Sequence, residues 1–461
     1  MEHLMAVILA AGEGKRMKSK NSKVVHKICG IPVIEWVYNA VTGAGVGDCV
    51  LVVGHRADQV KECMGDRVEY AFQQEQLGTG HAVMQAEKYL KDKQGYVLVL
   101  YGDTPLITSK TIQTAIEYHK KNNYSATVIS AEFDNPYGYG RIIRDTGGNV
   151  VKIVEQKDAL PEELNVREIN SGMYCFTIDA LLKALAKITN HNRQGEYYLT
   201  DVLGILAGAG LKVGALKADD PSEILGINDR VQLYQASEIL RKGILEGLMR
   251  SGVTIVNPES THIDARVEIG MDTVIYPGTI IEGVTQVGED CVIGPNSRIV
   301  SSDIGSGVEI SNSVVLESTI GDGAKIGPYA YIRPESRIGR KVKVGDFVEV
   351  KKSTIGDKTK IPHLAYIGDA EIGRNTNIAC GVITVNYDGS KKHKTVIGSN
   401  AFVGCNVNLV APVTVKDNSY IAAGSTVTEE VPEYSLAIAR SRQVVKDDWV
   451  NKKGMVRKEK D

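Results

Sequence analysis

The chain has 461 residues, which at about 150 residues per domain leaves room for roughly three domains, or two large ones with a connector, and excludes one small fold. Hydrophobic residues at 43% and charged residues at 24% are ordinary for a globular chain, and 54 Lys+Arg against 56 Asp+Glu give a formal charge of −2, so no basic field exists to hold nucleic acid. No apolar run approaches the roughly 18 residues of a membrane span, and the scattered cysteines, never spaced C-x-x-C, predict reduced thiols in a cytoplasmic protein.

From Met5 to about Ile227, short apolar runs alternate with segments of helical period. Val7-Ile8-Leu9, Val50 to Val53, Val97 to Leu100 and Ala126 to Ile129 predict strands of a parallel sheet covered on both faces. Helices are predicted over 32–44, opened by Pro32, over 79–90, and over 109–121, opened by Ser109. The first domain is therefore predicted as a doubly wound α/β fold, with its site beyond the carboxyl ends of the strands, at 10–23 and 101–105.

The loop Leu9-Ala10-Ala11-Gly12-Glu13-Gly14-Lys15-Arg16-Met17 follows the first predicted strand. Its glycines allow backbone N–H groups to approach an anion, although an ordinary strand-to-helix turn uses the same residues. It lacks the Ser/Thr after Gly14-Lys15 that a Walker loop needs and the third Gly of a dinucleotide fingerprint. Arg16 and Lys23 are fixed cations suited to a transferring phosphoryl group, or else solvated surface charges. Tyr101-Gly102-Asp103 ends an apolar strand and offers one carboxylate oxygen to a hard cation such as Mg²⁺.

After a helical stretch at 229–250 the period changes to six. Aliphatics fall at Ile263, Ile269, Ile275, Ile281, Val287, Ile293 and Ile299. They resume at Ile326 to Val350 and Ile355 to Ile367, and again at Ile397, Val403, Leu409, Val415, Ile421 and Val427. This is the pattern of a parallel β-helix, with one inward aliphatic per flat face and Gly or Asn at the corners, in about ten coils of about 18 residues. It accounts for 47 Gly and only 6% aromatics. Residues 384–395 do not fit the period and are predicted to leave the prism as a loop. Beside that loop stands His363, whose imidazole can take a proton near neutral pH, with Arg333, Lys351, Tyr366 and Asn377 on neighbouring coils.

The whole chain resembles the bacterial family of bifunctional UDP-N-acetylglucosamine pyrophosphorylases and glucosamine-1-phosphate N-acetyltransferases. The resemblance rests on Leu-Ala-Ala-Gly-x-Gly-x-x-Met with its downstream Lys, on Gln73 and Gln76-Leu77-Gly78-Thr79-Gly80-His81, and on Tyr101-Gly102-Asp103. It continues through Tyr139-Gly140-Arg141-Ile142, Val154-Glu155-Gln156-Lys157-Asp158, Ile169-Asn170-Ser171-Gly172 and Gly226-Ile227-Asn228. It implies a Rossmann-like nucleotidyltransferase domain at 1–228, a helical linker at 229–250, and a left-handed β-helix with a C-terminal tail at 251–461, assembled as a homotrimer. Leu9, Ala10, Ala11, Gly12, Gln73, Gly78 and Thr79 would hold UTP, with Tyr101 and Gly102 lining the same site. Gly140, Glu155 and Asn170 would hold the N-acetylglucosamine moiety, and Asp103 and Asn228 the Mg²⁺. On the prism, His363 would be the general base, Arg333, Lys351, Tyr366 and Asn377 would hold glucosamine 1-phosphate, and Cys380, Asn386, Tyr387, Cys405, Ala423 and Arg440 would contact acetyl-CoA. Asn386 would stand near the base, the amide at 405 would serve the oxyanion, and Trp449 would pack over the coenzyme.

Two departures are visible. Ser22 replaces the Pro that usually precedes the catalytic Lys, and Cys405 replaces a common Ser. A single-activity nucleotidylyltransferase whose prism only oligomerises or regulates, and a non-catalytic nucleotide-sugar sensor, are the alternatives. The polar set around His363 argues against the first, and the joint presence of Arg16, Lys23, Asp103 and Asn228 against the second.

Overall fold

The structure is a computed structural model that describes residues 3–455. The chain divides into two compact units, Met1–Gly243 and Ile244–Asp461, and the helix Arg230–Arg250 contributes to both.

In the first unit the strands are β1 (His3–Ala10), β2 (Lys27–Ile28), β3 (Ile31–Pro32), β4 (Asp48–Val53), β5 (Glu69–Phe72), β6 (Gly95–Tyr101), β7 (Ala126–Glu132), β8 (Arg141–Arg144), β9 (Val150–Val154), β10 (Glu168–Thr177) and β11 (Val213–Lys217). The main sheet has the order β11-β7-β10-β6-β1-β4-β5, with β8 and β9 as a hairpin on β10, while β2 and β3 pair separately. Along β1 the alternate residues Met5, Val7 and Leu9 enter one apolar core with Leu181 and Leu203 of the helices Ile178–Leu185 and Asp201–Gly208. Ala6, Ile8 and Ala10 enter a second core with Val37 and Ile112 of the helices Val33–Gly43 and Ser109–Lys121. Both faces are covered, as the unbroken apolar runs predict.

Three details differ from the sequence expectation. β10 runs antiparallel to both β6 and β7, so the sheet is mixed. The helix expected over 79–90 is two pieces, Thr79–Met84 and Glu87–Leu90. Between them Ala86 N–H donates to Val83 O at 2.9 Å and Tyr89 N–H to Ala86 O at 2.9 Å, the tighter i to i+3 pattern. The cap of the helix Ser109–Lys121 is Thr108, whose side chain accepts from Thr111 N–H.

The second unit is a three-sided parallel β-helix whose sheets carry 11, 10 and 9 strands. Each strand pairs with the one a full coil later, so inward side chains stack in columns, as in Ile281, Ile299, Val315, Ile332, Val350 and Ile367. All the aliphatics predicted from the six-residue period are buried in one core. Where the period slips, Ile304, Ile310, Val315 and Ile320 still point inward, because some corners there are one residue shorter. Thr384 is fully buried and takes the inward position after Ile378.

The corners are less restricted than expected. Tyr329, Phe347, Lys352, Lys358 and Leu364 hold φ of 60°, 54°, 46°, 61° and 47°. Such conformations cost about 1–2 kcal/mol per residue outside Gly and Asn. Bonds between coils hold three of them: Tyr329 N–H donates to Asn312 O at 2.9 Å, Lys358 N–H to Arg340 O at 2.8 Å, and Leu364 N–H to Asp346 O at 2.9 Å.

Candidate functional site

In the first unit, a cleft of about 270 Å³ opens at the carboxyl ends of β1 and β6. Leu9 to Gly12, Lys23, Gln73, Gly78, Thr79, Tyr101 and Asp103 line it, which joins segments more than ninety residues apart in the chain. Gly78 is required where it stands: its φ is +108°, and a Cβ there would lie 2.6 Å from the Tyr197 carbonyl oxygen. Gln73 is buried and donates from Nε2 to Gly78 O at 3.2 Å, and Thr79 Oγ1 accepts from Leu199 N–H at 3.0 Å.

At the mouth, Lys23 Nζ forms an ion pair with Asp103 and donates to Asn228 Oδ1 at 3.2 Å. Ile227 N–H donates to Asp103 O at 2.9 Å, which brings Asn228 across 125 residues of chain to Asp103. Two protein oxygens thus face one cation position. This donor set fits Mg²⁺, which binds one or two protein oxygens and completes its shell with water and substrate phosphates. Among the described residues no group of three or more His, Cys, Asp or Glu could cage a metal.

Ser22 has φ −56° and ψ 143°, a backbone that proline would also adopt, but its N–H donates to Gln59 Oε1 at 2.6 Å. Arg56 Nη1 donates to Ser19 O and Asn21 O, each at 2.9 Å. Side chains of the next strand-to-helix segment therefore hold the loop that carries Lys23. Arg16 is exposed on this loop, outside the residues that line the cleft.

Gly140, Glu155 and Asn170 come together: a Cβ on Gly140 would lie 3.5 Å from both Asn170 Cβ and Glu155 Oε2. Burial raises the Glu155 carboxyl above its ordinary value, with a hydrogen bond from Thr200 Oγ1 at 3.3 Å opposing it. The same burial, with Glu155 nearby, raises the Tyr101 phenol.

On the prism, His363 Nδ1 is 2.5 Å from Asp346 Oδ1, its register partner on the preceding coil. This hydrogen bond is the main cause that lowers the Asp346 carboxyl below its ordinary value. Asn377 follows on the same sheet, opposite Lys360. On the adjoining sheet, Arg333 Nη1 pairs with Glu349 Oε1 at 2.7 Å, and Glu349 stands opposite Tyr366. Lys351 Nζ is 3.7 Å from Asp369 Oδ2, while Asn386 Nδ2 donates to that same oxygen at 2.5 Å and to Tyr366 Oη at 3.3 Å. Gly368 makes this convergence possible, because a Cβ there would meet Tyr366 Oη at 2.4 Å and Asn386 Nδ2 at 2.6 Å. The Lys351 ammonium also faces Lys392, whose ammonium it pushes below its ordinary value. Two cations this close suit a phosphate.

The segment predicted to leave the prism is an ordered excursion. Tyr387 bridges Lys392, and Asp388 accepts from Ser390 N–H, Lys391 N–H and His393 Nε2. Cys380, Cys405 and Ala423 lie along one line of successive coils, and Arg440 Cδ approaches Gly424. Trp449 begins a short helix, Trp449–Lys452, and is nearly half exposed; the tail expectation for 456–461 lies outside the described residues.

No motif in the sequence singles out Asp346, Glu349, Asp369, Gln59 or Glu196, the last of which also lines the cleft. Asp346 carried a signal, since it precedes His363 by 17 residues, one coil of the prism. Asp369 precedes Asn386 by the same interval. Glu196 and Gln59 carried none.

Residues 6–193 match the MobA-like NTP transferase domain, and residues 266–301, 317–352 and 394–429 match the bacterial transferase hexapeptide (six repeats). The chain is 66% identical over 461 residues to the bifunctional protein GlmU of Acetivibrio thermocellus, covering 100% of both. It is 59% identical to that of Caldanaerobacter subterraneus subsp. tengcongensis and 57% identical to that of Clostridium botulinum, in each case over 98% of this chain and 99% of the relative.

Proposed function

The chain belongs to the family of the bifunctional protein GlmU, and from that premise we propose how its own residues carry two reactions. It is a bifunctional enzyme: it acetylates glucosamine 1-phosphate with acetyl-CoA, and it transfers UMP from UTP to N-acetylglucosamine 1-phosphate, giving UDP-N-acetylglucosamine and pyrophosphate for cell-wall precursors. The carrying observation is that each unit holds its own convergence of charged groups, Lys23 with Asp103 and Asn228 in one, and His363 with Asp346 in the other. We assign the first reaction centre to 1–228, the connector to 229–250 and the second centre to 251–461.

In uridylyl transfer, a phosphate oxygen of the sugar phosphate attacks the α-phosphorus of UTP and pyrophosphate leaves. Leu9 to Gly12, Gln73, Gly78 and Thr79 hold the nucleotide, with Tyr101 and Gly102 beside it, and Gly140, Glu155 and Asn170 hold the acceptor's sugar. Lys23, carried to the cleft beside Asp103 and Asn228, and Arg16, brought from its exposed loop, stabilise the growing negative charge. Asp103 and Asn228 would hold Mg²⁺, which when bound neutralises charge on the phosphate oxygens.

In acetyl transfer, Arg333, Lys351, Tyr366 and Asn377 hold glucosamine 1-phosphate, with Lys351 and Lys392 on its phosphate. Asp346 accepts the Nδ1–H of His363, so the lone pair on Nε2 is free to take a proton from the attacking amine. The amine nitrogen bonds to the thioester carbonyl carbon, whose oxygen becomes a tetrahedral oxyanion; as the C=O re-forms, the carbon–sulfur bond breaks and coenzyme A leaves as the thiol with the proton held on His363. Cys380, Tyr387, Cys405, Ala423 and Arg440 contact acetyl-CoA, Asn386 positions the acceptor amine, and the 405 amide serves the oxyanion.

The active form we propose is a cytoplasmic homotrimer. Support comes from an apolar column at one corner, Tyr329, Phe347 and Leu364, each more than half exposed beside His363, and from the absence, among the described residues, of any helix long and apolar enough to cross a membrane. The test is a coupled assay with UTP, acetyl-CoA and glucosamine 1-phosphate, each omitted in turn. Product that still forms from glucosamine 1-phosphate without acetyl-CoA, or only from preacetylated acceptor, overturns the bifunctional reading.

A further inference from the structure

Cys380 and Cys405 sit opposite each other on successive coils. The strands Asn377–Ile378 and Phe402–Val403 pair in parallel, and backbone hydrogen bonds between the two coils continue into the turns that follow them. Ala379 N–H donates to Val403 O at 2.9 Å and Asn406 N–H to Cys380 O at 2.8 Å, which puts residue 380 beside residue 405. The next step, Gly424 N–H to Cys405 O at 2.8 Å, puts residue 405 beside Ala423. Paired parallel strands lie about 4.8 Å apart, inside the Cα separation of about 4.4–6.8 Å that a disulfide spans. Both thiols are free, Cys405 exposed and Cys380 partly so, whereas Cys291, the other cysteine of this unit, is buried.

We propose that Cys380 and Cys405 form a thiol pair that closes into a disulfide between two coils, a modification site whose oxidation stops acetyl transfer and leaves uridylyl transfer running. The oxidant is a low-molecular-weight disulfide. The Cys405 thiolate attacks one of its sulfurs, forming a mixed disulfide and releasing the first small thiolate. The Cys380 thiolate then attacks Cys405 Sγ, forming the protein disulfide and expelling the second. Two protein thiols are oxidised and one external disulfide is reduced to two thiols. The effect on acetyl transfer rests on reading this column as part of the acetyl-CoA site; the closure itself does not.

The full-length protein is incubated with glutathione disulfide, quenched with iodoacetamide, digested without reductant and mapped by mass spectrometry. The expected product is a peptide pair joined through Cys380 and Cys405. Acetyl transfer should fall in proportion to the joined fraction and return with dithiothreitol, while uridylyl transfer in the same sample holds. Cysteines that remain alkylatable, a glutathione adduct on Cys405 alone, or a link between two chains each overturn the pairing. A joined chain that still acetylates overturns the switch, and a parallel arm identifies the cause. If acetyl-CoA slows iodoacetamide attack on Cys405, the site reading stands and only the switch is wrong; if it gives no protection, the site reading has failed.

Discussion

Replacing Gln59 by alanine removes the acceptor of the Ser22 N–H, a donor on a residue only 3% exposed and bonded at 2.6 Å. A buried N–H left without a partner costs about 1–3 kcal/mol. The loop escapes that cost by leaving the pose in which Lys23 reaches Asp103 and Asn228. Disfavouring the competent pose by this amount lowers kcat/KM for uridylyl transfer by roughly 5- to 150-fold. The assay is UTP-dependent pyrophosphate release, with acetyl transfer in the same preparation as the standard for intact protein. Ser22→Pro tests the same point from the other side. At φ −56° the ring fits, and no N–H remains to be stranded. In that background Gln59→Ala should change the rate by less than about 2-fold. A Gln59→Ala enzyme as fast as the wild type, or equal losses in the two backgrounds, would show that the Ser22–Gln59 bond does not hold Lys23 in place.

Asp346→Asn removes the carboxylate that fixes the His363 tautomer while leaving the imidazole in place. Because the two side chains are 37% and 54% exposed and the imidazole itself remains, the loss should not exceed the lower bound for general base catalysis, about 10- to 100-fold in kcat of acetyl transfer, with both KM values steady; an unchanged kcat would exclude the role. A further prediction concerns acid stability. Burial, with Lys120 adding to it, pushes the His119 imidazole from 6.5 down to about 4. The folded state then binds fewer protons than the unfolded chain between these values, so its contribution is complete above pH 6.5 and is lost as pH falls toward 4. From pH 7 to pH 5 the first unit should lose about 2 kcal/mol through this group. Denaturant midpoints of His119→Gln should accordingly move less between those pH values than the wild type; parallel curves would rule the group out.

Much of the fold was legible because burial repeats with fixed periods. The six-residue spacing located the inward column of the prism, and the unbroken runs at Val50 to Val53 and Val97 to Leu100 located strands covered on both sides. The misses have physical causes. A corner that closes in one residue fewer breaks the spacing at Ile304 without turning the side chain outward. Thr384 escapes a hydrophobic pattern although it is buried inward, because its Oγ1 is bonded to the backbone of Gly368. Corners tolerate Tyr329 and Leu364 because bonds between coils override local preference. β10 carries the Asn170-Ser171-Gly172 motif, and nothing in its composition states its direction. For the sites, the resemblance named residues at both centres, whereas composition and spacing suggested only loops and lone charges. Their partners were hidden by coil geometry, which places Asp346 against His363 and Asp369 against Asn386.

We propose that one polypeptide holds two independent reaction centres. Lys23→Ala and His363→Ala, each assayed for both reactions, test it most directly. Lys23→Ala should lower uridylyl transfer by at least ~10²-fold and spare acetyl transfer; His363→Ala should abolish acetyl transfer and spare uridylyl transfer. Loss of both activities from either substitution, or near-normal acetylation by His363→Ala, would contradict it.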